Sequence, residues 1–229
     1  EHTDSINALN DVDTATTAPT DGQILKWNST NSKWYPGDVE ESASGTQKAL
    51  FGFGHNGNTY TNVTNLVSSS GVVASDTTGV GTSNRGLAAA SYGEDKAIFG
   101  FGNHGVGSLQ STRITNKTNL VSNTGVVSTD TAGVGTAREY LAAAGYGEDK
   151  AIFGFGFGSS TSVFRTNITN LVSNTGVVAS DTTGVGTARR SLAGAGYGGD
   201  KAIFGFGDTQ NETNITNLVS NTGVVASDT

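Results

Sequence analysis

Cysteine is absent from the 229 residues, which excludes disulfides, thiolate nucleophiles and thiolate-bound metals. Only two prolines occur, and the 33 glycines do not recur at every third position, so a collagen-like triple helix is excluded. No apolar run approaches the roughly 20 residues that span a bilayer, and no hydrophobic signal-peptide core is visible. The sequence therefore predicts no membrane insertion.

Positive charge is also scarce, with 13 Lys and Arg against 20 Asp and Glu and a net charge of −7. The basic residues form no cluster, whereas a nucleic-acid binder needs a basic stripe that displaces counterions. The three histidines, His2, His55 and His104, lack the spacing of a catalytic triad or a metal site. We therefore predict no nucleic-acid partner, no catalytic residue, no metal and no cofactor.

The remaining composition is typical of short strands joined by turns, because Thr, Ser, Asn and Gly dominate the polar part. We predict an all-β protein with almost no helix. Both prolines and both tryptophans lie in the first 40 residues. This shift predicts an N-terminal linker or anchor segment at 1–45, with a hairpin formed by 23–27 and 33–35, and a repeat region at 46–229.

The repeat region contains about four copies of one unit of roughly 50 residues, starting near 46, 85, 138 and 189. The distance from the Asn of TNLVS to the Lys of the next KAIFGFG is always 31 residues. Between FGFG and TNLVS the lengths are 9, 15, 12 and 8 residues. The unit therefore has a fixed framework and one variable loop.

Each unit offers four strand candidates, which in the third copy are Leu141–Gly145, Lys150–Gly156, Thr169–Ser173 and Gly176–Ala179. Alternation along the second candidate predicts Phe153 and Phe155 on one face and glycines on the other. We expect the bare face to let a neighbouring sheet approach closely. Stacked four-stranded sheets of this kind favour the blades of a β-propeller.

Acidic residues recur at two places in the unit, and we interpret both as turns. The pairs Glu94-Asp95 and Glu148-Asp149 fall between the first two strands, where tight turns favour Asp and Gly. Asp76, Asp130 and Asp181 follow the last strand in the motif S/T-D-T. Carboxylate catalysis or calcium binding is the less favoured alternative at these positions.

The unit R-x-x-L-A-A-A-G-Y-G-E-D-K-A-I-F-G-F-G, followed by TNLVSNTGVV, resembles the kelch repeat. Arg138 and Arg189 occupy its leading position, and Arg85 sits one residue closer to its strand. The resemblance implies a kelch-like β-propeller with four strands per blade. Two features depart from it, since the glycines form Gly-Phe-Gly rather than an adjacent pair and the outer-strand Trp is missing. The regulator-of-chromosome-condensation repeat is a second choice, and blade count and closure stay open.

The segment Ala8–Asp38 is similar to linker modules in structural proteins of tailed bacteriophages, particularly marine ones, and the repeats are similar to those in tail or fibre proteins of such phages. This resemblance implies a non-catalytic, extracellular virion appendage that contacts other tail proteins or copies of itself. The chain begins at Glu1 rather than Met and stops at Thr229 in mid-repeat, so we expect either processing or, as the favoured alternative, a fragment of a longer protein. The alternative function is a cellular β-propeller scaffold for protein interactions.

The variable loops carry the side chains that a polar-ligand site would use, because insertions at one point of each repeat map to one face of an array. Aromatic rings stack on sugars, and arginine binds hydroxyls and acidic groups. The loops therefore predict recognition of a host-surface glycan, and the alternative is drift of surface loops. The candidate ligand-binding residues are His55, Tyr60, His104, Arg113, Phe157, Phe164 and Arg165.

Overall fold

The computed structural model describes residues 11–13, 20, 23–38, 49–57, 59–105, 109–158 and 165–229. The chain forms two compact units, one of residues 1–48 with 68–72 and one of residues 49–67 with 73–229. In the first unit, β1 (Gln23–Asn28) and β2 (Lys33–Asp38) form the predicted antiparallel hairpin. Trp27 lies opposite Trp34 with ring centroids 5.4 Å apart, so a cross-strand aromatic pair stabilises this hairpin.

The second unit is all-β, which confirms the predicted class, and every paired strand in it is antiparallel. Its helix among the described residues is α1 (Gln110–Arg113), and no helix in that part of the chain is long and apolar enough to cross a membrane. The strands are β3 (Ala49–His55), β4 (Tyr60–Val67), β5 (Ala88–Tyr92), β6 (Lys96–Gly100), β7 (Thr118–Val121), β8 (Arg138–Glu139), β9 (Ala142–Tyr146), β10 (Lys150–Gly154), β11 (Phe157–Gly158), β12 (Thr169–Val172), β13 (Ala193–Tyr197), β14 (Lys201–Gly205) and β15 (Thr216–Val219).

Three repeats share one meander, with strand orders β5-β6-β7, β9-β10-β12 and β13-β14-β15, whereas the first repeat has the pair β3-β4. The inner strands β5, β9 and β13 lie beside one another in sequence order. The described residues form these small stacked sheets and do not close into a propeller ring.

The predicted fourth strand, Gly176–Ala179, is wrong as a full strand. Val178 forms an isolated bridge with Val172, and a second bridge, Thr182 with Thr169, lies beyond the predicted strand. Between these bridges the side-chain amide of Asn170 donates to the carbonyl of Ala179 at 3.0 Å. This side-chain bond satisfies a carbonyl that a continuous ladder would otherwise use, so the regular ladder ends there.

The second phenylalanine of each FGFG motif adopts a left-handed backbone conformation, which overturns the predicted sharing of one face by both rings. Phe155 has φ 62° and follows the end of β10, so the alternation of the strand stops at Gly154. As a result Phe153 packs on Phe101 of the preceding repeat at 5.1 Å. Phe155 packs on Phe204 of the following repeat at 5.4 Å. The two rings therefore join a repeat to both of its neighbours.

The bare glycine positions admit the neighbouring sheet, as the sequence predicts. A Cβ atom built on Gly154 would lie 2.8 Å from Cζ of Phe204, and one on Gly100 would lie 2.8 Å from Cζ of Phe153. Real Cβ atoms do not approach ring atoms so closely. Glycine therefore allows the phenyl ring of one repeat to lie directly on the backbone of the preceding one.

The aspartates of the S/T-D-T motifs are more than turn residues, because they bind the segment that leads into their own repeat. Asp181 accepts hydrogen bonds from the backbone N–H and the hydroxyl of Thr136 at 3.1 and 2.6 Å, and from Asn170 at 2.9 Å. Burial raises the pKa of Asp181, but these hydrogen bonds together lower it by more, so the pKa lies below its ordinary value. Asp130 makes the same bonds with Thr82. Asp228 makes them with Thr187, whereas Asp76 of the first repeat accepts a hydrogen bond from Asn65. The carboxylates therefore close the second, third and fourth repeats.

The acidic pairs between the first two strands are turn residues, as predicted. Glu94 and Glu148 have φ values of 67° and 68° inside the three-residue turns that precede β6 and β10. The aspartate of each pair binds the adjacent lysine, as in the 2.7 Å contact between Asp149 Oδ1 and Lys150 Nζ.

Truncation of Phe153 tests the packing between repeats. We expect Phe153→Ala to lower the free energy of unfolding by about 3–5 kcal/mol, because the ring is completely buried. The matched control is Phe51→Ala at the equivalent position of the first repeat, where the ring is 64% exposed. Chemical denaturation of both variants measures the free energy of unfolding. Equal losses in the two variants would contradict the packing of Phe153 between repeats.

Candidate functional site

In the second, third and fourth repeats, one end of the second strand adjoins the acidic turn and the other end lies away from it. The variable loop leaves the sheet at the end that lies away from the turn. Strand β10 begins at Lys150, beside the turn, and ends at Gly154, just before the left-handed Phe155. Strands β6 and β14 run in the same way. The loops of the second, third and fourth repeats therefore emerge from equivalent points of their sheets.

The base of each loop is fixed by a short ladder beyond the Gly-Phe-Gly motif. Phe157 pairs with Glu139 on one side and with Arg165 on the other. Asp208 pairs in the same way with Arg190 and Glu212. Glu139 and Arg190 directly follow Arg138 and Arg189, which we call the framework arginines. The residue after the framework arginine, rather than the arginine itself, therefore lies at the edge of the loops.

The framework arginine holds the left-handed phenylalanine of its own repeat. Arg138 is fully buried and donates to the carbonyl of Phe155 and to Asn170 Oδ1, each at 2.7 Å. Its guanidinium carbon lies 4.2 Å from the ring centroid of Phe101 in the preceding repeat. Burial lowers the pKa of Arg138 to about 10, so the side chain stays charged at neutral pH.

Arg85 does not occupy this framework position, in agreement with its placement one residue closer to the strand in the sequence. Asn84 takes the place of the arginine, and its side-chain amide donates to the carbonyl of Phe101. Arg85 is thereby the counterpart of Glu139 and Arg190, and it pairs with Asn103 at the base of the second loop. Arg85 therefore belongs to the loop face.

The first and second loops meet at a group that we call the Tyr60 cluster, formed by His55, Tyr60, Arg85 and Gly105. The ring of His55 lies 5.0 Å from that of Tyr60 in an edge-on arrangement. The guanidinium of Arg85 lies 5.0 Å above the Tyr60 ring, a cation–π contact. A Cβ atom on Gly105 would lie 2.6 Å from the same ring, so the second loop touches the first.

The third and fourth loops meet at a second group, the Asp208 cluster, formed by Phe157, Arg165, Arg190 and Asp208. Arg165 Nη2 contacts both carboxylate oxygens of Asp208 at 3.0 and 3.1 Å. Arg190 Nε donates to Asp208 Oδ2 at 2.9 Å, and its guanidinium lies 4.9 Å from the ring centroid of Phe157. One carboxylate thus binds arginines from two repeats.

The predicted site residues are therefore divided rather than gathered into one pocket. His55 and Tyr60 belong to the first cluster, and Phe157 and Arg165 to the second. His104 donates its backbone N–H to the carbonyl of Arg113 at 2.9 Å, which closes the second loop. Phe164 lies outside the described residues.

Sequence reasoning missed Arg85, Arg190 and Asp208 as members of the two clusters. The available signal was the position two residues before the Leu that precedes the first strand, which changes between repeats from Arg85 to Glu139 to Arg190.

The two clusters offer guanidinium donors, imidazole and aromatic rings, which suit hydrogen bonding and stacking with a polar ligand. Within the described part of the chain, no three His, Cys, Asp or Glu side chains lie close enough to hold a metal ion. No protein-family model and no curated protein matches the chain. A function is therefore inferred from its own residues.

The charge of Asp208 provides a test of the second cluster. Its hydrogen bond from Arg190, followed by those from the Gln210 backbone and Arg165, lowers its pKa to about 2. Because the folded-state pKa is lowered, the stabilisation is present above the ordinary aspartate pKa of about 3.9 and is lost as the pH falls through about 2. We expect Arg190→Gln to raise the titration midpoint of the Asp208 carboxyl group, measured by NMR.

The control for that titration is Arg113→Gln, which removes an arginine of similar exposure from another loop. The Asp208 midpoint should not move in this variant. A midpoint that is the same in wild type and Arg190→Gln would show that the arginine does not hold the carboxylate.

Proposed function

We propose that the chain is a non-catalytic structural and adhesive subunit of a virion appendage, a tail fibre or tail-associated protein, whose variable loops bind a host-surface glycan. The observation that carries this proposal is that loops of adjacent repeats touch each other. Tyr60 contacts Gly105 of the next loop, and Arg165 contacts Asp208 of the next loop. The residues that vary most between repeats are thus joined into composite surfaces.

A separation between framework and loops supports a binding role. The framework bonds recur from repeat to repeat. Arg138 donates to Phe155 and Asn170. Arg189 donates in the same way to their counterparts Phe206 and Asn217. The loops between 55–63, 103–117, 157–168 and 208–215 differ in length, and before the Thr-Asn pair near the end of each loop they also differ in sequence. A rigid scaffold that positions variable loops is the usual arrangement of binding proteins.

The exposed groups fit the chemistry of sugars. His55 is exposed, and Arg113 is partly exposed at the end of α1. Imidazole and guanidinium donors bind hydroxyl and acidic groups, and rings such as Phe157 stack on the apolar face of a sugar. Several weak contacts on linked loops add to the affinity without any new contact in one loop.

The proposal also includes a kelch-like architecture for the repeats and a place on a virion. The stacked sheets with small-residue inner strands β5, β9 and β13 support their interpretation as kelch-like blades. The likeness of the N-terminal segment to phage linker modules supports placement on a virion, with other tail proteins or copies of the chain as neighbours.

Shortening of the second loop tests glycan recognition, and the contacts at its base decide where to cut. Asn103 and Ile114 are buried, and Lys117 binds Asp130 at 2.9 Å, so the whole segment Asn103–Lys117 cannot be removed without damage to the framework. We expect replacement of residues 106–112 by a short Gly/Ser turn to leave the thermal midpoint unchanged. The same replacement should reduce binding on a glycan array and adsorption to host cells.

The control for the loop exchange is Val177→Ser, which changes an exposed residue on an outer hairpin next to the acidic turn of the neighbouring repeat. It should bind like wild type. Equal binding by the shortened-loop protein and wild type would show that the second loop has no binding role and that its sequence has drifted.

A further inference from the structure

The first loop holds the one asparagine of the sequence that is followed by glycine, in the pair Asn56-Gly57. In such a pair the backbone nitrogen of the glycine attacks the side-chain carbonyl carbon of the asparagine, and the glycine has no side chain that obstructs the approach. Gly57 has φ 93°, and a Cβ atom built on it would have no neighbour within 4 Å. Both residues are exposed, so water reaches any product that they form.

The nucleophile of this reaction faces a base. The backbone N–H of Gly57 donates to Nδ1 of His55 at 3.3 Å, so the imidazole lies at the proton that must leave. An edge-on contact with the Tyr60 ring, 5.0 Å away, holds the imidazole in place. A backbone amide is a poor nucleophile until a base removes its proton, and histidine is the side chain that most often does this. His55 is therefore placed as a general base.

The carbonyl oxygen of the Asn56 side chain is bound by donors on Thr59. Its Oδ1 accepts hydrogen bonds from the backbone N–H of Thr59 at 2.8 Å and from the Thr59 hydroxyl at 3.2 Å. The backbone N–H of Asn56 donates to the carbonyl of Thr59 at 3.2 Å, which fixes the two residues against each other. Negative charge develops on a carbonyl oxygen when its carbon is attacked, and donors already aimed at that oxygen stabilise the charge.

We propose that Asn56 deamidates in the folded protein, with His55 as the general base and Thr59 as the donor to the oxyanion. The Gly57 nitrogen forms a bond to Cγ of Asn56 while the amide proton passes to Nδ1 of His55. The bond from Cγ to the side-chain nitrogen then breaks, that nitrogen takes the proton from His55, and ammonia leaves a succinimide ring. Water opens the ring at either carbonyl to aspartate or isoaspartate.

The product adds a negative charge beside the Tyr60 cluster. Arg85 of that cluster forms no ion pair with a carboxylate among the described residues, so the new charge changes the electrostatics of an unpaired guanidinium. Isoaspartate also routes the backbone of the loop through the former side chain. The reaction modifies the chain itself and turns over no substrate, and this inference does not depend on the proposed function.

The test follows Asn56 by peptide mapping and mass spectrometry while the whole chain is incubated in dilute buffer at fixed pH and temperature. Wild type should accumulate the succinimide, which has lost the mass of ammonia, and then aspartate and isoaspartate. His55→Phe keeps a ring against Tyr60 but has no base. Because His55 is exposed, we expect this variant to react about tenfold more slowly, less than the roughly 100-fold effect at the low end for general bases.

Asn28 is the reference in the same molecule. Its Oδ1 also accepts a backbone N–H, from Thr30 at 2.9 Å, but Ser29 follows it in place of glycine. The modification of Asn28 should be equally slow in both proteins, and circular dichroism should show that His55→Phe keeps the wild-type fold.

The same incubation in denaturant separates the effect of the fold from that of the Asn56-Gly57 pair. Denatured wild type loses the contacts of His55 and Thr59, so Asn56 should react more slowly than in the native protein. The difference between wild type and His55→Phe should also disappear. Equal rates for the two native proteins would overturn the proposal, as would a native wild type that reacts no faster than the denatured chain.

Discussion

The spacing of the sheets is set by a phenylalanine ring that lies on bare glycine backbone. Phe153 lies on Gly100 and Phe204 on Gly154, and any side chain at either glycine would overlap with the ring. The next phenylalanine must turn towards the opposite neighbour, and Phe155 does so through its positive φ. A bulky residue in the left-handed region of backbone conformation costs on the order of 1–3 kcal/mol. Burial of a phenylalanine ring returns about 1.5–3 kcal/mol, so strain and packing are of similar size.

The framework arginine explains why the strained conformation persists where packing is missing. Phe206 is exposed, yet its φ of 63° equals that of its buried counterparts. Its carbonyl accepts a hydrogen bond from Arg189 Nε at 2.9 Å, as that of Phe155 does from Arg138. The same guanidinium groups lie on the rings of the preceding repeat. One arginine therefore fixes the bend in its own repeat and covers the ring of the previous one.

Regular features of this fold follow from the sequence, whereas those that depend on single dihedral angles do not. The hairpin, strand β10 and the acidic turns could be predicted from alternation and turn residues. The direction of Phe155 could not, because only a few per cent of non-glycine residues adopt positive φ. The variable loops were located by their unequal lengths. The contact of Arg165 with Asp208 was not foreseen, since it joins residues 43 positions apart whose proximity depends on the stacking of two repeats.

The two loop clusters differ in how the protein engages their arginines. Arg190 and Arg165 share one carboxylate, so both guanidinium groups of the Asp208 cluster are already engaged by an acidic group of the protein. Arg85 instead lies on Tyr60, and among the described residues it forms no ion pair with a carboxylate. The Nε atom of Arg85 is buried without a hydrogen-bond partner in the same part of the chain. On the proposed function, an acidic ligand would gain more from the Tyr60 cluster, because no carboxylate of the described residues already pairs with its guanidinium.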